Sequence, residues 1–349
     1  MAVPFTFELP PELAAREPAE QRGLSRDGVR LMVIDRQANR VEHTRFNRLA
    51  EYLRPGDLLV FNTSRTLPAS LTGCEAPPEP CIEVRLAEHL PDDSWLALLL
   101  CREEDLFACG LQSGIELSFG EGLQGVVYER DPEIPRLWKI RFSKTGTDLV
   151  DAIYRVGRPI RYEYVSAPWD LDYYQNVYAN EPGSIEMPSA GRAFTWQLLF
   201  DLRRRGIETA YVVLHTGLSS YMDRELDARH PVSEEEYYIS PGAAEMVSRR
   251  RRAGGRVIAV GTTVVRALES AAATGGMVQA GRGYTRLRIA ASHTLQAVDG
   301  LLTGLHEPAA SHLDLLSAFL PAERIRAAYE EAVRLGYLWH EFGDLNLIL

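Results

Sequence analysis

No stretch of this 349-residue chain approaches the ~18 uninterrupted apolar residues of a membrane-spanning helix. The opening residues, MAVPFTFELPPEL, lack the charged-then-apolar order of a secretory signal. Both absences predict a cytoplasmic protein without membrane contact. Excess positive charge is missing too: 48 acidic against 38 basic residues leave −10, which gives no global attraction to nucleic acid and confines any RNA contact to local features. Cysteine is scarce. Cys74, Cys81, Cys101 and Cys109 show no two-residue gap of the zinc-knuckle kind, so their spacing predicts no metal and reduced, mostly buried thiols. No internal repeat and no low-complexity segment is present, so nothing points to a solenoid.

What is present describes a globular enzyme-sized chain. With 46% hydrophobic residues and this length, two domains and a large core are expected. From Arg30 to about Leu67 the pattern alternates a strand (Arg30–Ile34), an amphipathic helix (Phe46–Leu53) and a second strand after Pro55-Gly56-Asp57. Between about Pro68 and Lys144 short strand-like runs replace helices: Ile82–Leu86, Trp95–Leu100, Ile115–Phe119, Leu123–Tyr128 and Leu137–Phe142. Alternation then resumes, with helices predicted over Thr195–Arg205, Pro241–Ala253, Glu269–Ala273, Ala310–Phe319 and Pro321–Leu335, a strand over Thr209–Leu214 and a short closing strand from Leu345. The expected fold is α/β: an open α/β-barrel-like main domain, residues 1–67 and 148–349, with a small antiparallel β-barrel domain, residues 68–147, inserted. Two basic runs, Arg203–Arg205 and Arg249–Arg252, end helices and read as cations placed at helix C-termini.

The most informative segment is Val257–Glu269. A buried parallel strand, Val257–Val260, runs into Gly261, where the backbone turns, and then into a helix. Thr262 and Thr263 offer hydroxyls and helix N-terminal N–H groups to a carboxylate, phosphate or sugar. Arg266 and Glu269, three apart, share a helix face and are candidates to pair or to reach a ligand. Other loops that follow strands carry polar groups as well, and such loops form the ligand crevice of α/β domains. His215 ends a strand beside Gly217, the small-residue run Pro188-Ser189-Ala190-Gly191 precedes a helix, Asp299 and His306 flank another loop, and Asp344 stands at the entrance of the closing strand. Histidine at such a terminus is a candidate acid–base group, although a histidine placed there is more often structural.

Along nearly the whole chain these fragments resemble the S-adenosylmethionine:tRNA ribosyltransferase-isomerase family of the queuosine pathway. The resemblance is carried by Phe7–Leu13, by Pro55–Asn62 with Arg65, by Tyr174–Ala179, by Pro188–Gly191 and by His215 with Gly217. It continues through Arg256–Glu269, Val298–Leu301, His306, Ser317–Phe319 and Gly343-Asp344, the Arg256–Glu269 block being the most specific. It implies S-adenosylmethionine as ribosyl donor, a tRNA bearing a 7-aminomethyl-7-deazaguanine base as acceptor, no metal, and release of adenine and methionine. It also implies catalytic roles for His215, His306 and Asp344, with substrate contacts from Asn62, Arg65, Gly191, Gly217, Thr262, Thr263, Arg266, Glu269 and Asp299. A monomer is expected.

Departures from the family pattern concentrate in polar loops. Arg192-Ala193 stands where Leu-His is usual, Gly304 replaces an amide, Ala310 a serine and Ser70 an arginine. His230-Pro231-Val232-Ser233 replaces a His-x-Met-His motif. Two other readings therefore stay open: a diverged S-adenosylmethionine enzyme with another acceptor, and a non-catalytic nucleotide- or RNA-binding relative.

Overall fold

The computed structural model describes residues 6–74, 81–101, 113–223, 234–273, 275–308 and 310–349. Cys109, the His230–Ser233 motif and the side chain of Cys101 lie outside the described residues. In chain order, β1 (Arg30–Asp35), β2 (Arg40–Arg45), β3 (Leu58–Asn62) and β4 (Ser64–Thr66) come first. Six strands follow: β5 (Ser70–Gly73), β6 (Ile82–His89), β7 (Trp95–Cys101), β8 (Ile115–Gly120), β9 (Leu123–Arg130) and β10 (Leu137–Phe142). Helix α1 (Gly146–Val156), β11 (Glu181–Ser184), α2 (Trp196–Arg204), β12 (Glu208–Leu214), β13 (Glu235–Ile239), α3 (Pro241–Arg252), β14 (Val257–Val260) and α4 (Thr262–Ser270) come next. The chain closes with β15 (Ala272–Ala273), β16 (Met277–Val278), β17 (Gly281–Thr285), β18 (Gly300–Gly304), α5 (Ser311–Leu316), α6 (Ala322–Arg334) and β19 (Leu345–Ile348).

Nine strands form one open mixed sheet in the order β17-β13-β12-β3-β14-β18-β19-β1-β2. Its centre is parallel, with β12, β3, β14 and β18 all running the same way. β3, β14 and β18 are buried almost throughout because both faces are covered, whereas β12 exposes Tyr211. Alternate residues of β3 divide between two cores: Leu58 and Val60 pack beneath α3, α4 and α6, whereas Leu59 and Phe61 face α2 and the Phe46–Glu51 turn. The six strands β5 to β10 form a second, antiparallel sheet whose one-sided burial, seen in the alternation of β8 and β9, marks the inside of a barrel. Cys74 and Ser118 exchange two backbone hydrogen bonds across its seam and nearly close it. Its apolar cluster also takes in Leu149, Ala152 and Ile153 of α1.

Three expectations are corrected. Cys74 and Cys81 form a disulfide, not reduced thiols. The β5–β6 register pairs Gly73 with Ile82, which sets the next two residues opposite one another with Cα atoms 4.3 Å apart, a proximity no sequence spacing discloses. The Phe46–Leu53 helix is a 3-10 helix over Phe46–Glu51. The helix placed at Glu269–Ala273 ends at Ser270, and Ala272–Ala273 pairs instead with Met277–Val278, where Gly275 and Gly276 supply the positive φ values of a tight hairpin. The arginines that end α2 and α3 do pair locally, Arg204 and Arg205 with Asp201 and Arg252 with Glu245.

Candidate active site at the carboxyl ends of the parallel strands

Asn62, the last residue of β3, is the hub of this edge. Its fully buried amide donates to Leu214 O (2.8 Å) and Thr263 Oγ1 (3.3 Å), and its oxygen accepts from Leu214 N and Ser64 N (3.0 Å each). The carboxyl ends of β3 and β12 and the start of α4 are thereby fixed together. Ser64 extends the network, its hydroxyl lying 2.7 Å from His215 Nδ1 and 2.6 Å from Ser184 Oγ. Gly183 packs against the same imidazole so closely that a Cβ there would lie 2.3 Å from Nδ1. Burial lowers the His215 pKa below the usual histidine value, so the ring is held neutral. Arg65 follows Ser64 on β4, which pairs with β11, and the Tyr154 hydroxyl donates to the next carbonyl, Thr66 O (3.2 Å).

Gly261 adopts φ +98°, a value an L side chain rarely takes, and this lets β14 turn directly into α4. Gly191 is required for space: a Cβ there would meet the Tyr178 hydroxyl at 1.9 Å. At the end of β18 the His306 Nε2 lies 3.0 Å from Thr303 Oγ1, and its ring stacks on His312 at 4.5 Å between centroids. Burial, then the neighbouring His312, hold the His306 pKa well below its ordinary value.

Two clefts open on this edge, one touching the segment at 189–193 and the other at 183–185. The first is lined by Arg26, Arg192, His340, Glu341 and Asp344, among others. The second sits where the barrel strand β6 meets the main sheet, and Glu88 and His89 line it together with His215, Gly217 and Glu235. Burial raises the Glu88 pKa to about 7. Near the first cleft, Tyr164 donates to Glu341 (2.5 Å) and Tyr162 donates to Glu186, and burial raises the pKa of both carboxyls, that of Glu341 to about 7.

The structure gathers Asn62, Arg65, Gly191, His215, Gly217, Thr262, Thr263, His306 and Asp344 on this edge, and sets three sequence candidates apart. Arg266 does not pair with Glu269. Its guanidinium is buried against Glu235 and the carbonyls of Leu287 and Thr285, while Glu269 accepts from Gln296 N and Ala297 N and meets His293 at 3.2 Å. Both pin the segment 285–297 to α4. Asp299 lies at the opposite end of the strands, bonding Arg251 and Val257 N (2.9 Å). Asp344 accepts from Arg30 N (2.7 Å) and Leu338 N (2.8 Å), so it fastens β1 and β19 as well as lining a cleft. Missed from sequence were Ser64, Ser184, Glu88, Glu186 and Glu341. Ser64 falls inside the Asn62–Arg65 segment, but nothing local marks the others.

A polar network at the carboxyl ends of a parallel sheet, beside two clefts, is the arrangement in which α/β proteins bind small molecules. The comparisons narrow that class. The profile of the queuosine biosynthesis protein family matches residues 3–348. The S-adenosylmethionine:tRNA ribosyltransferase-isomerases of Thermus thermophilus and Heliobacterium modesticaldum are 40% and 38% identical, each match covering 99% of this chain and 98% of the relative. The crystal structure of an S-adenosylmethionine tRNA ribosyltransferase from Thermotoga maritima is similar at 30% identity and a TM-score of 0.54, with 99% of each chain covered. The chain belongs to the queuosine biosynthesis protein family. Among the described residues no helix is long and apolar enough to cross a membrane.

Proposed function

We propose that this protein transfers and isomerises the ribosyl moiety of S-adenosylmethionine onto a 7-aminomethyl-7-deazaguanine base in tRNA, releasing adenine and methionine. The observation that carries this reading is the match, over 99% of the chain, to enzymes named for that reaction. The chemistry needs a base near C5′, whose hydrogens the adjacent sulfonium acidifies, and donors for the departing adenine. His215 is assigned the base: its imidazole is neutral, oriented through Nδ1 by Ser64, and borders the cleft between barrel and sheet. His306 is assigned to hydrogen bonding of the donor, oriented by Thr303. Thr262 and Thr263 suit ribose hydroxyls at the start of α4, and Arg65 suits the acceptor. Residues 1–67 with 148–349, and 68–147, are taken as the two domains, so that the second cleft lies between them.

Ala193, buried where the family pattern carries an imidazole, favours a second reading with a different acceptor. One experiment separates the two. The protein is incubated with S-adenosylmethionine, with and without tRNA carrying the deazaguanine base, and adenine and tRNA nucleosides are followed by chromatography and mass spectrometry. Adenine release that depends on that tRNA, with an added epoxy-cyclopentanediol unit, is expected. Release without tRNA supports another acceptor, and binding with no release in either case removes the enzymatic reading.

A further inference from the structure

The main sheet is not covered evenly. Phe61 of β3 and Tyr211 of β12 stand opposite one another on the face that α2 covers, and Tyr211, although stacked on Phe61 at 5.8 Å, is still 41% exposed. Further out, Val213 is opposite Tyr238 of β13, Tyr238 is opposite Arg282 of β17, and Glu236 is opposite Tyr284. Opposite residues share a face and alternate residues return to it, so Tyr211, Tyr238 and Tyr284 project from one face of three adjacent strands. Tyr238 and Tyr284 are 36% and 51% exposed. The α2 layer therefore stops at β12 and leaves the outer strands open on this side.

Among the described residues, the exposed large aromatic side chains are these three tyrosines together with Trp196 and Phe200 of α2, which stack on each other at 6.2 Å. All five belong to one side of the sheet. Cations are set among them: Arg282 lies over the Tyr238 ring at 5.3 Å, and Arg203 is exposed one turn beyond Phe200. Glu236 and Asp201, carboxylates of this side, are paired with Arg282 and with Arg204 and Arg205, whereas Arg203 makes no ion pair among the described residues. The face also adjoins the candidate site. Glu236, opposite Tyr284, lines the cleft of His215, and its carbonyl accepts from His215 N (3.0 Å). With strands about 4.8 Å apart, Tyr284 stands about 10 Å from the end of β12 that carries His215.

Planar rings with arginines between them suit the unpaired bases and the phosphates of single-stranded RNA, because any base stacks on an aromatic face and any phosphate meets a guanidinium. A second copy of this chain suits the face less, since a twofold contact would set this cation-bearing patch against itself. In a chain of net charge −10, contact with RNA has to be local. We propose that the aromatic face of β12, β13 and β17 is the RNA platform of this protein, on which unpaired nucleotides next to the acceptor base stack and hold that base at the His215 edge. The inference rests on the tRNA reading above and adds to it the surface that holds the RNA.

The test is fluorescence anisotropy of a labelled anticodon stem-loop RNA carrying the 7-aminomethyl-7-deazaguanine base, titrated with wild type, Tyr238→Ala, Tyr284→Ala and Tyr284→Phe. Thermal unfolding, S-adenosylmethionine binding by calorimetry and oligomeric state by ultracentrifugation are recorded for each. Both positions are exposed, so the unfolding midpoints should stay close to wild type. Each Ala variant should weaken RNA binding by about fivefold to a hundredfold, the range of one lost base stack, and leave S-adenosylmethionine binding unchanged. Tyr284→Phe keeps the ring and should bind RNA within about twofold of wild type. RNA binding unchanged in both Ala variants overturns the platform while leaving the tRNA reading intact, and a loss in Tyr284→Phe equal to that in Tyr284→Ala overturns stacking as its basis. A wild-type dimer that the Ala variants dissociate, with RNA binding unchanged, assigns the face to a second copy instead. Wild type that binds no RNA removes the tRNA reading itself, and this inference with it.

Discussion

The two ends of the central parallel strands use the same residue types in opposite ways. At the amino ends, Asp57 accepts from Arg256 Nε (2.9 Å) and Nη2 (2.5 Å) and from Arg54 N (2.7 Å), and Asp299 holds Arg251 and Val257 N. Each charge there has its partner. At the carboxyl ends the pairing is incomplete: His215 and His306 are kept neutral by burial, and Glu88 and Glu341 are raised to about 7. Closed pairs fix the strands, whereas buried groups left short of a partner keep interaction energy for a ligand. An aspartate's position next to a strand therefore says little until it is known which end it occupies.

The contrast predicts that closed pairs fail in stability and open groups fail in turnover. The largest effect is expected for Arg266→Leu, which leaves the Glu235 carboxylate, 5% exposed, without its counterion. Urea unfolding should show a loss of about 3–5 kcal/mol; a loss under 1 kcal/mol would dismiss the pinning role. Next, His215→Ala should lower kcat for tRNA-dependent adenine release by about 10²–10⁴ with little change in unfolding midpoint. Near-normal kcat would remove His215 as the base. Asp57→Asn should cost about 2–3 kcal/mol of stability while S-adenosylmethionine affinity stays as in wild type. If affinity fell in parallel, the two ends would not be separable.

Smaller effects sharpen the same contrast. Cys74→Ser opens a loop of seven-residue separation and should cost about 2 kcal/mol, seen as a lower unfolding midpoint without a change in kcat. An unchanged midpoint in wild type with and without reductant would argue against a stabilising disulfide. The smallest is a pH effect. Burial disfavours the protonated form of His215, so its base form persists below the ordinary value of 6.5. The acid limb of kcat/KM should accordingly fall below pH 6.5, and a limb above that value would contradict a buried neutral base.

Legibility followed the range of the interactions. The β1, β3 and β14 runs were readable because strands covered on both faces must be apolar, β12 by its apolar end Val212–Leu214, and the barrel strands because one-sided burial alternates. The edge strand β2 was missed, since its residues are half-exposed and carry no such pattern. Gly261 was readable as a turn, yet Arg266 and Glu269 were not readable as pins, because their partners Glu235 and Gln296 lie 31 and 27 residues away.

By itself the sequence determined the α/β class, five of the six strands of the β insertion, the family and the presence of histidines and threonines after strands, because each of these is written in local periodicity or contiguous motifs. Only the tertiary structure decided that Asp299 and Asp344 occupy opposite ends of the sheet and that Cys74 meets Cys81. Those facts depend on strand direction and register, which are set by packing across the whole sheet and leave no trace in the spacing of neighbouring residues.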